Sequence, residues 1–371
     1  MAFDPDKALA PGIRIIKNAI IVPNGPGKAP GIARPAGVYD ADGNYVPEGQ
    51  CFRASDLPTT VEPDTLPEVT DGNYRGGLWL YGGLLYQHFG HFLLESTARL
   101  WAAEQVDDWV KGELFLLKGD ITHAQRPIRL MGDLLTLFGA HGKRRKGVVE
   151  PTRVERLLVA PQGFGTGDMI GGCPEYRSFT KRILGEGIAA KGAEKIYISR
   201  TRLFSKRGRY FGEDRMEKLF EAEGYRIYHP QNEKIEDQIA QYKAARMIVS
   251  SDSSALHLAA FFAEPEDKIA IVLRRPGSTI EDYLTQYRAF AGVEPDVLDT
   301  LVGENYQLEA EKRKQMNEIY SVLDFPELGR QLAEAGYIGN ASAWTALSAG
   351  EIEAERKDLA TRLEQDIRLI A

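Results

Sequence analysis

The stretch Leu78-Trp79-Leu80-Tyr81-Gly82-Gly83-Leu84-Leu85, running on into Tyr86-Gln87-His88-Phe89-Gly90-His91-Phe92-Leu93-Leu94-Glu95-Ser96, decides how this chain is read. Its first half is an apolar run of strand length bounded by polar sequence. Its second half predicts a helix that continues through Arg99, Leu100 and Trp101. At 3.6 residues per turn, His88, His91, Glu95 and Arg99 fall along one face, with Phe89, Leu93 and Leu100 on a neighbouring apolar stripe. A surface face would ordinarily carry Lys and Glu. Two imidazoles, a carboxylate and a guanidinium at a strand-to-helix junction can move protons and hold anions. The segment alone leaves two other readings open. The histidines are also explained as half-buried groups satisfied by neighbouring carbonyls. His88, His91 and Glu95 also have a spacing that can converge on zinc or iron, although it is not HExxH.

The chain around this stretch is long enough, at 371 residues, for two domains with separate cores. Its 43% hydrophobic and 27% charged residues are ordinary for a globular protein. A net charge of −7 gives no overall bias toward nucleic acid. Cys51 and Cys173 are the only cysteines, which offers no disulfide framework and fits a reducing compartment. The start MAFDPDKALAPG lacks the pattern of a signal peptide, and no run reaches membrane-span length. The expectation is a cytoplasmic protein, one that could work peripherally at the inner face of the membrane.

Residues 1–77 are rich in Pro and Gly and predict short strands and long loops. After strand 78–85 and the His-bearing helix come a strand at 113–118, a helix near 126–138 and a strand at 154–160. This alternation predicts a parallel sheet covered by helices. Pro161 to Pro174 carries five Gly and two Pro and reads as a loop or hinge. The second half alternates more clearly, with strands at 195–199, 225–228, 247–250 and 268–273 and helices at 175–190, 213–223, 235–245, 253–262 and 281–289. Gly224 is a helix stop. This is a doubly wound α/β pattern, with ligands expected at the carboxyl ends of its strands. From 303 the sequence is charged and reads as a helical tail, with a capping box at Ser348 and Glu351 and an apolar face of Ile352, Leu359, Leu363 and Ile367. The domains expected are 1–170, 171–302 and the tail 303–371.

Two strand ends in the second half carry unusual groups. Ser199-Arg200-Thr201-Arg202 is followed by Lys206, Arg207 and Arg209, five cations in ten residues beside a buried strand. Arginine forks suit phosphate oxygens, although a basic turn in solvent has the same composition. Ser250-Ser251-Asp252-Ser253-Ser254 ends another strand and begins a helix that runs through His257. Exposed N–H groups at such a helix start favour phosphate, and ordinary capping by Asp252 or Ser253 explains the same residues. Together the two segments suggest a diphosphate cradle. Neither GxxxxGK[ST] nor GxGxxG occurs. Asp40 and Asp42 read as a hairpin turn rather than a metal–nucleotide motif.

In this order, these segments resemble glycosyltransferase family 61. The resemblance rests on Gly90-His91-Phe92-Leu93-Leu94-Glu95 with Arg99-Leu100-Trp101, on Ile198-Ser199-Arg200 with Arg207, on Glu236, Gln238 and Ala244-Ala245, and on Ile248 to Phe261. It covers about residues 75–290. Many members have His-Gly-Ala where this chain has Asp252-Ser253-Ser254, with His257 one turn further on, so donor identity does not carry over.

The resemblance implies an α/β, GT-B-like architecture: two Rossmann-like doubly wound domains facing across a cleft, with inversion at the anomeric carbon. It implies a nucleotide-sugar donor, UDP-linked among the candidates, and an oligosaccharide or polysaccharide acceptor, as in bacterial capsular or exopolysaccharide biosynthesis. No cofactor and no metal are expected. Ser199, Arg200, Arg207, Asp252, Ser253, Ser254 and His257 would bind the donor. His91 or Glu95, with His88 beside them, would carry the acid–base chemistry. Two alternatives stand beside this reading: a catalytically degenerate sugar- or nucleotide-binding scaffold, and a metal-dependent hydrolase using His88, His91 and Glu95.

Overall fold

The computed structural model describes residues 2–118, 125–139, 144–184, 186–203, 208–276, 279–308 and 318–370. The chain divides into two compact units, Met1–Gly187 and Ile188–Ala371. Among the described residues, no helix is long and apolar enough to cross a membrane.

The first unit is built on strands β1 (Arg14–Val22), β2 (Gly37–Tyr39), β3 (Tyr74–Leu85), β4 (Val110–Leu117), β5 (Arg144–Val148) and β6 (Thr152–Val159). They form one sheet of order β2-β1-β6-β3-β4-β5. β6, β3, β4 and β5 run parallel to one another, as the alternation predicts. β1 is antiparallel to both β6 and β2, so the sheet is mixed rather than fully parallel. The Pro/Gly-rich start thus holds a nine-residue strand as well as loops. Its Ile16, Ala19 and Ile21 join Trp79, Tyr81, Leu116 and Leu157 in the core. Each such large apolar side chain contributes about 1.5–3 kcal/mol on burial. Asp40 does sit in a turn, its Oδ1 accepting from the backbone N–H groups of Asp42 and Asn44. The Gly-rich stretch after β6 is folded into this unit: Thr166 N–H donates to the Arg53 carbonyl at 2.7 Å, and Gln162 Nε2 to the Phe52 carbonyl at 2.9 Å.

The segment after β3 is not one helix. An α-turn (Phe89–His91) passes into a π-turn (Phe92–Ser96), the chain breaks, and a 3₁₀ stretch follows at Leu100–Gln105. Two small hydroxyl side chains bond backbone groups at the break. Ser96 Oγ accepts from Tyr86 N–H at 2.9 Å, and Thr97 Oγ1 donates to the Leu93 carbonyl at 2.7 Å. Arg99 then turns into the core. It is 1% exposed, with Nε donating to the Ala160 carbonyl at 2.9 Å and Nη2 to the Gln50 carbonyl at 2.5 Å. Gly83 makes room for it: φ is +75°, and a Cβ there would stand 2.8 Å from Arg99 Nη1.

The second unit carries β7 (Lys195–Ile198), β8 (Arg226–Tyr228), β9 (Met247–Ser251), β10 (Lys268–Val272) and β11 (Asp296–Leu298) in a sheet of order β8-β7-β9-β10-β11. All its neighbours are parallel. Between the strands run α1 (Glu213–Ala222), α2 (Ile235–Ala244), α3 (Ser254–Ala259) and α4 (Ile280–Ala291). Gly224 follows α1 with φ +84°, as its stop role requires. In chain order the strands lie 2-1-3-4-5, so the winding reverses between β7 and β9. Ligands of doubly wound sheets bind outside the carboxyl ends of the strands at that reversal.

The expected helical tail is half sheet. β12 (Leu301–Leu308), β13 (Tyr320–Leu323) and β14 (Ile367–Leu369) form an antiparallel sheet. Helices α5 (Phe325–Glu334) and α6 (Ala349–Leu363) accompany it. The Ser348–Glu351 capping box is present at the start of α6. Leu359 is buried on the predicted face, but Ile367 belongs to β14.

Candidate functional site

In the first unit the short turn after β3 brings His91 and Glu95 together. His91 Nδ1 lies 2.6 Å from Glu95 Oε1. The Glu95 side chain is 3% exposed and that of His91 33%. Arg53 Nε stands 3.7 Å from the same carboxylate oxygen. An ionised carboxylate only accepts, so opposite one Nδ1 is the donor of this bond. Tyr86 packs its ring 5.3 Å from that of His91, and Lys118 Nζ lies 4.8 Å from the Tyr86 centroid. Burial first, and then the Glu95 charge, hold the Tyr86 phenol above its usual range. His88 is exposed, its ring 5.2 Å from His91. Arg99, predicted on this face, is instead the core arginine described above. Among the described residues, no three His, Cys, Asp or Glu side chains are placed to hold a metal ion. His88, His91 and Glu95 therefore do not converge as their spacing allows.

In the second unit, Ser199 and Arg200 follow β7 and Asp252 follows β9, on either side of the winding reversal. Ser199 is turned inward, its Oγ donating to Glu217 Oε1 at 2.6 Å. Arg200 is 9% exposed; its N–H donates to Glu213 Oε1 and its Nε to the Gly208 carbonyl, each at 2.8 Å. Gly208 tolerates no side chain, because a Cβ would run into the Ile319 backbone. Burial, and next the charge of Arg274, pull Arg200 down to about 10. Burial pushes the Glu213 carboxyl up. Arg209 fastens the loop rather than opening it to a ligand, with Nη1 donating to the Thr201 carbonyl at 3.3 Å and Nη2 to Glu355 Oε1 at 3.1 Å. Arg207 and Lys206 lie outside the described residues.

The helix start contributes less than its sequence suggests. α3 has only six residues, and Ser253 makes no side-chain cap bond. Asp252 is enclosed and paired with cations: Arg274 Nε lies 3.3 Å from Oδ1, and Arg275 Nε donates to Oδ2 at 3.0 Å. His257 is used in packing, 2.6 Å from Gln286 Oε1 through Nδ1 and stacked on Tyr283 at 4.5 Å. Ser253 and Ser254 remain partly exposed. Sequence reading missed Arg274 and Arg275. Their signal was available, because Leu273-Arg274-Arg275-Pro276 follows β10 just as Ser199-Arg200 follows β7.

No curated protein sequence matches the chain. Residues 89–270, from the His91–Glu95 turn to within β10, match the family model described as Glycosyltransferase 61, and this match supports glycosyltransferase activity.

Proposed function

We propose that the chain is an inverting, GT-B-type glycosyltransferase that moves a sugar from a nucleotide-sugar donor to a glycan hydroxyl in capsular or exopolysaccharide-type biosynthesis. The observation that carries the chemistry is the His91–Glu95 pair, inside the matched stretch, with its carboxylate enclosed and its imidazole partly open. His91 Nε2 takes the proton of the acceptor hydroxyl. The hydroxyl oxygen bonds to the anomeric carbon as the bond from that carbon to the phosphate oxygen breaks. Glu95 holds the imidazole in one tautomer and balances the imidazolium that forms, so Glu95 positions and His91 acts as base. General-base assistance of this kind contributes about 100- to 10,000-fold. Arg200, at the carboxyl end of β7, receives the leaving diphosphate and offsets its charge in place of a metal.

A thermal-shift screen against nucleotide sugars identifies the donor, since a ligand that binds only the folded state raises the melting temperature. Transfer to glycan acceptors follows with that donor. Absence of both a shift and transfer across the common nucleotide sugars would overturn the proposal. Binding without transfer would support the scaffold reading.

A further inference from the structure

Arg274 follows β10 and is 2% exposed. Its backbone is fixed, the carbonyl accepting from Ser321 Oγ at 2.6 Å. Its side chain is less well provided for. Nε faces Asp252 Oδ1 at 3.3 Å, yet neither Nε nor Nη1 makes a hydrogen bond among the described residues. Arg275 shares the same carboxylate, and Arg200 lies near enough for its charge and that of Arg274 to repel. Arg274 and Arg275 at the end of β10 thus share the Asp252 carboxylate at the end of β9, while Arg200 at the end of β7 has Glu213 as its nearer counter-charge. A guanidinium has five N–H donors, and one carboxylate cannot satisfy two of them. Buried donors left unmade are costly, so such a group points to a ligand that completes it. A diphosphate supplies several acceptor oxygens and the negative charge, and arginine forks match its geometry.

We infer that Arg274 is a phosphate-binding residue that, with Arg200, grips the diphosphate of a nucleoside-diphosphate ligand, while Asp252 is the fixed counter-ion that keeps the arginines aligned. The nucleoside part of this assignment rests on the transferase reading; the capture of a diphosphate does not. Arg274 lies beyond the stretch that matches the family model, which ends at 270.

The test is calorimetry with inorganic pyrophosphate, UDP and uridine on the full chain, at one ionic strength, for wild type, Arg274→Met, Asp252→Asn and the double variant. Wild type is expected to bind pyrophosphate and UDP more tightly than uridine. Arg274→Met is expected to weaken both by about tenfold or more, the loss that goes with a charged hydrogen bond. If Arg274→Met does not fold, the double variant is compared with Asp252→Asn, because removing both charges leaves less unpaired charge behind. Unchanged pyrophosphate affinity in the folded variant overturns the inference, as does a wild type that binds neither pyrophosphate nor UDP. The two readings fail separately. Pyrophosphate capture through Arg274 without any sugar transfer keeps this inference and ends the transferase reading. Transfer by Arg274→Met at wild-type kcat/KM ends this inference and keeps the transferase.

Discussion

Glu95 lies inside and His91 outside of a single hydrogen bond: at 2.6 Å between Oε1 and Nδ1, the carboxylate is enclosed and the imidazole reaches solvent. This order fits the proposed roles, Glu95 positioning and His91 acting as base, because an enclosed carboxylate cannot meet an acceptor sugar and a partly open imidazole can.

His91→Ala is therefore expected to lower turnover by about 100-fold or more, with donor affinity unchanged. Glu95→Gln is expected to lower it less, because glutamine still accepts from Nδ1 but brings no charge. Turnover, donor affinity and melting temperature measured on the same proteins check this. A His91→Ala protein with a lowered melting temperature and unimpaired turnover would make the pair a packing feature only.

Transfer activity is expected to survive EDTA, since the proposal gives Arg200 the charge of the leaving group. Activity lost in chelator and restored by manganese or zinc would contradict it.

Glu113 is a buried carboxyl on β4, 3.6 Å from Arg145, and burial pushes it up to about 7 against the opposing pull of Arg145. The folded chain thus holds this proton where the unfolded chain, near 4.5, has released it. Stability from this group is present at low pH and falls as pH rises from about 4.5 to 7, by up to about 3 kcal/mol. Glu113→Gln is expected to flatten that decline. Urea midpoints at several pH values on both proteins measure it, and parallel curves would refute it.

Glu355 on α6 accepts from Arg209 Nη2 at 3.1 Å and from Gly212 N–H at 2.7 Å. Glu355→Ala is expected to cost roughly 1.5–3 kcal/mol in urea unfolding, the range for a charge-assisted hydrogen bond. It is also expected to weaken pyrophosphate binding by loosening the loop that holds Arg200. Full stability in the variant would show the contact to be idle.

Local signals made the second unit legible. β7, β9 and β10 are short apolar runs, Gly224 stops α1, and the Ser348–Glu351 box starts α6, each within a few residues. What stayed hidden depends on distant partners. Short strands were expected in residues 1–77 and β1 is one of them, but its antiparallel pairing with β6, Arg14 opposite Val159, has no local signal. The turn after Ser96 breaks because Tyr176 meets the Thr97 hydroxyl at 2.6 Å and the Gln50 and Ala160 carbonyls draw Arg99 inward. The tail is half sheet because β14 pairs with β12, Leu369 opposite Tyr306. At the site, Arg200 and Asp252 were legible as strand-end residues. Arg274 carried the same strand-end signal and was passed over, because two arginines before a proline also read as a basic turn.

The bond between Arg209 and Glu355 spans 146 residues of chain. During synthesis the arginine leaves the ribosome long before the carboxylate that fastens it. Arg209 therefore gains this partner only when α6 has been made, and a chain interrupted before that helix would carry the β7–β11 sheet with Arg209 still lacking it.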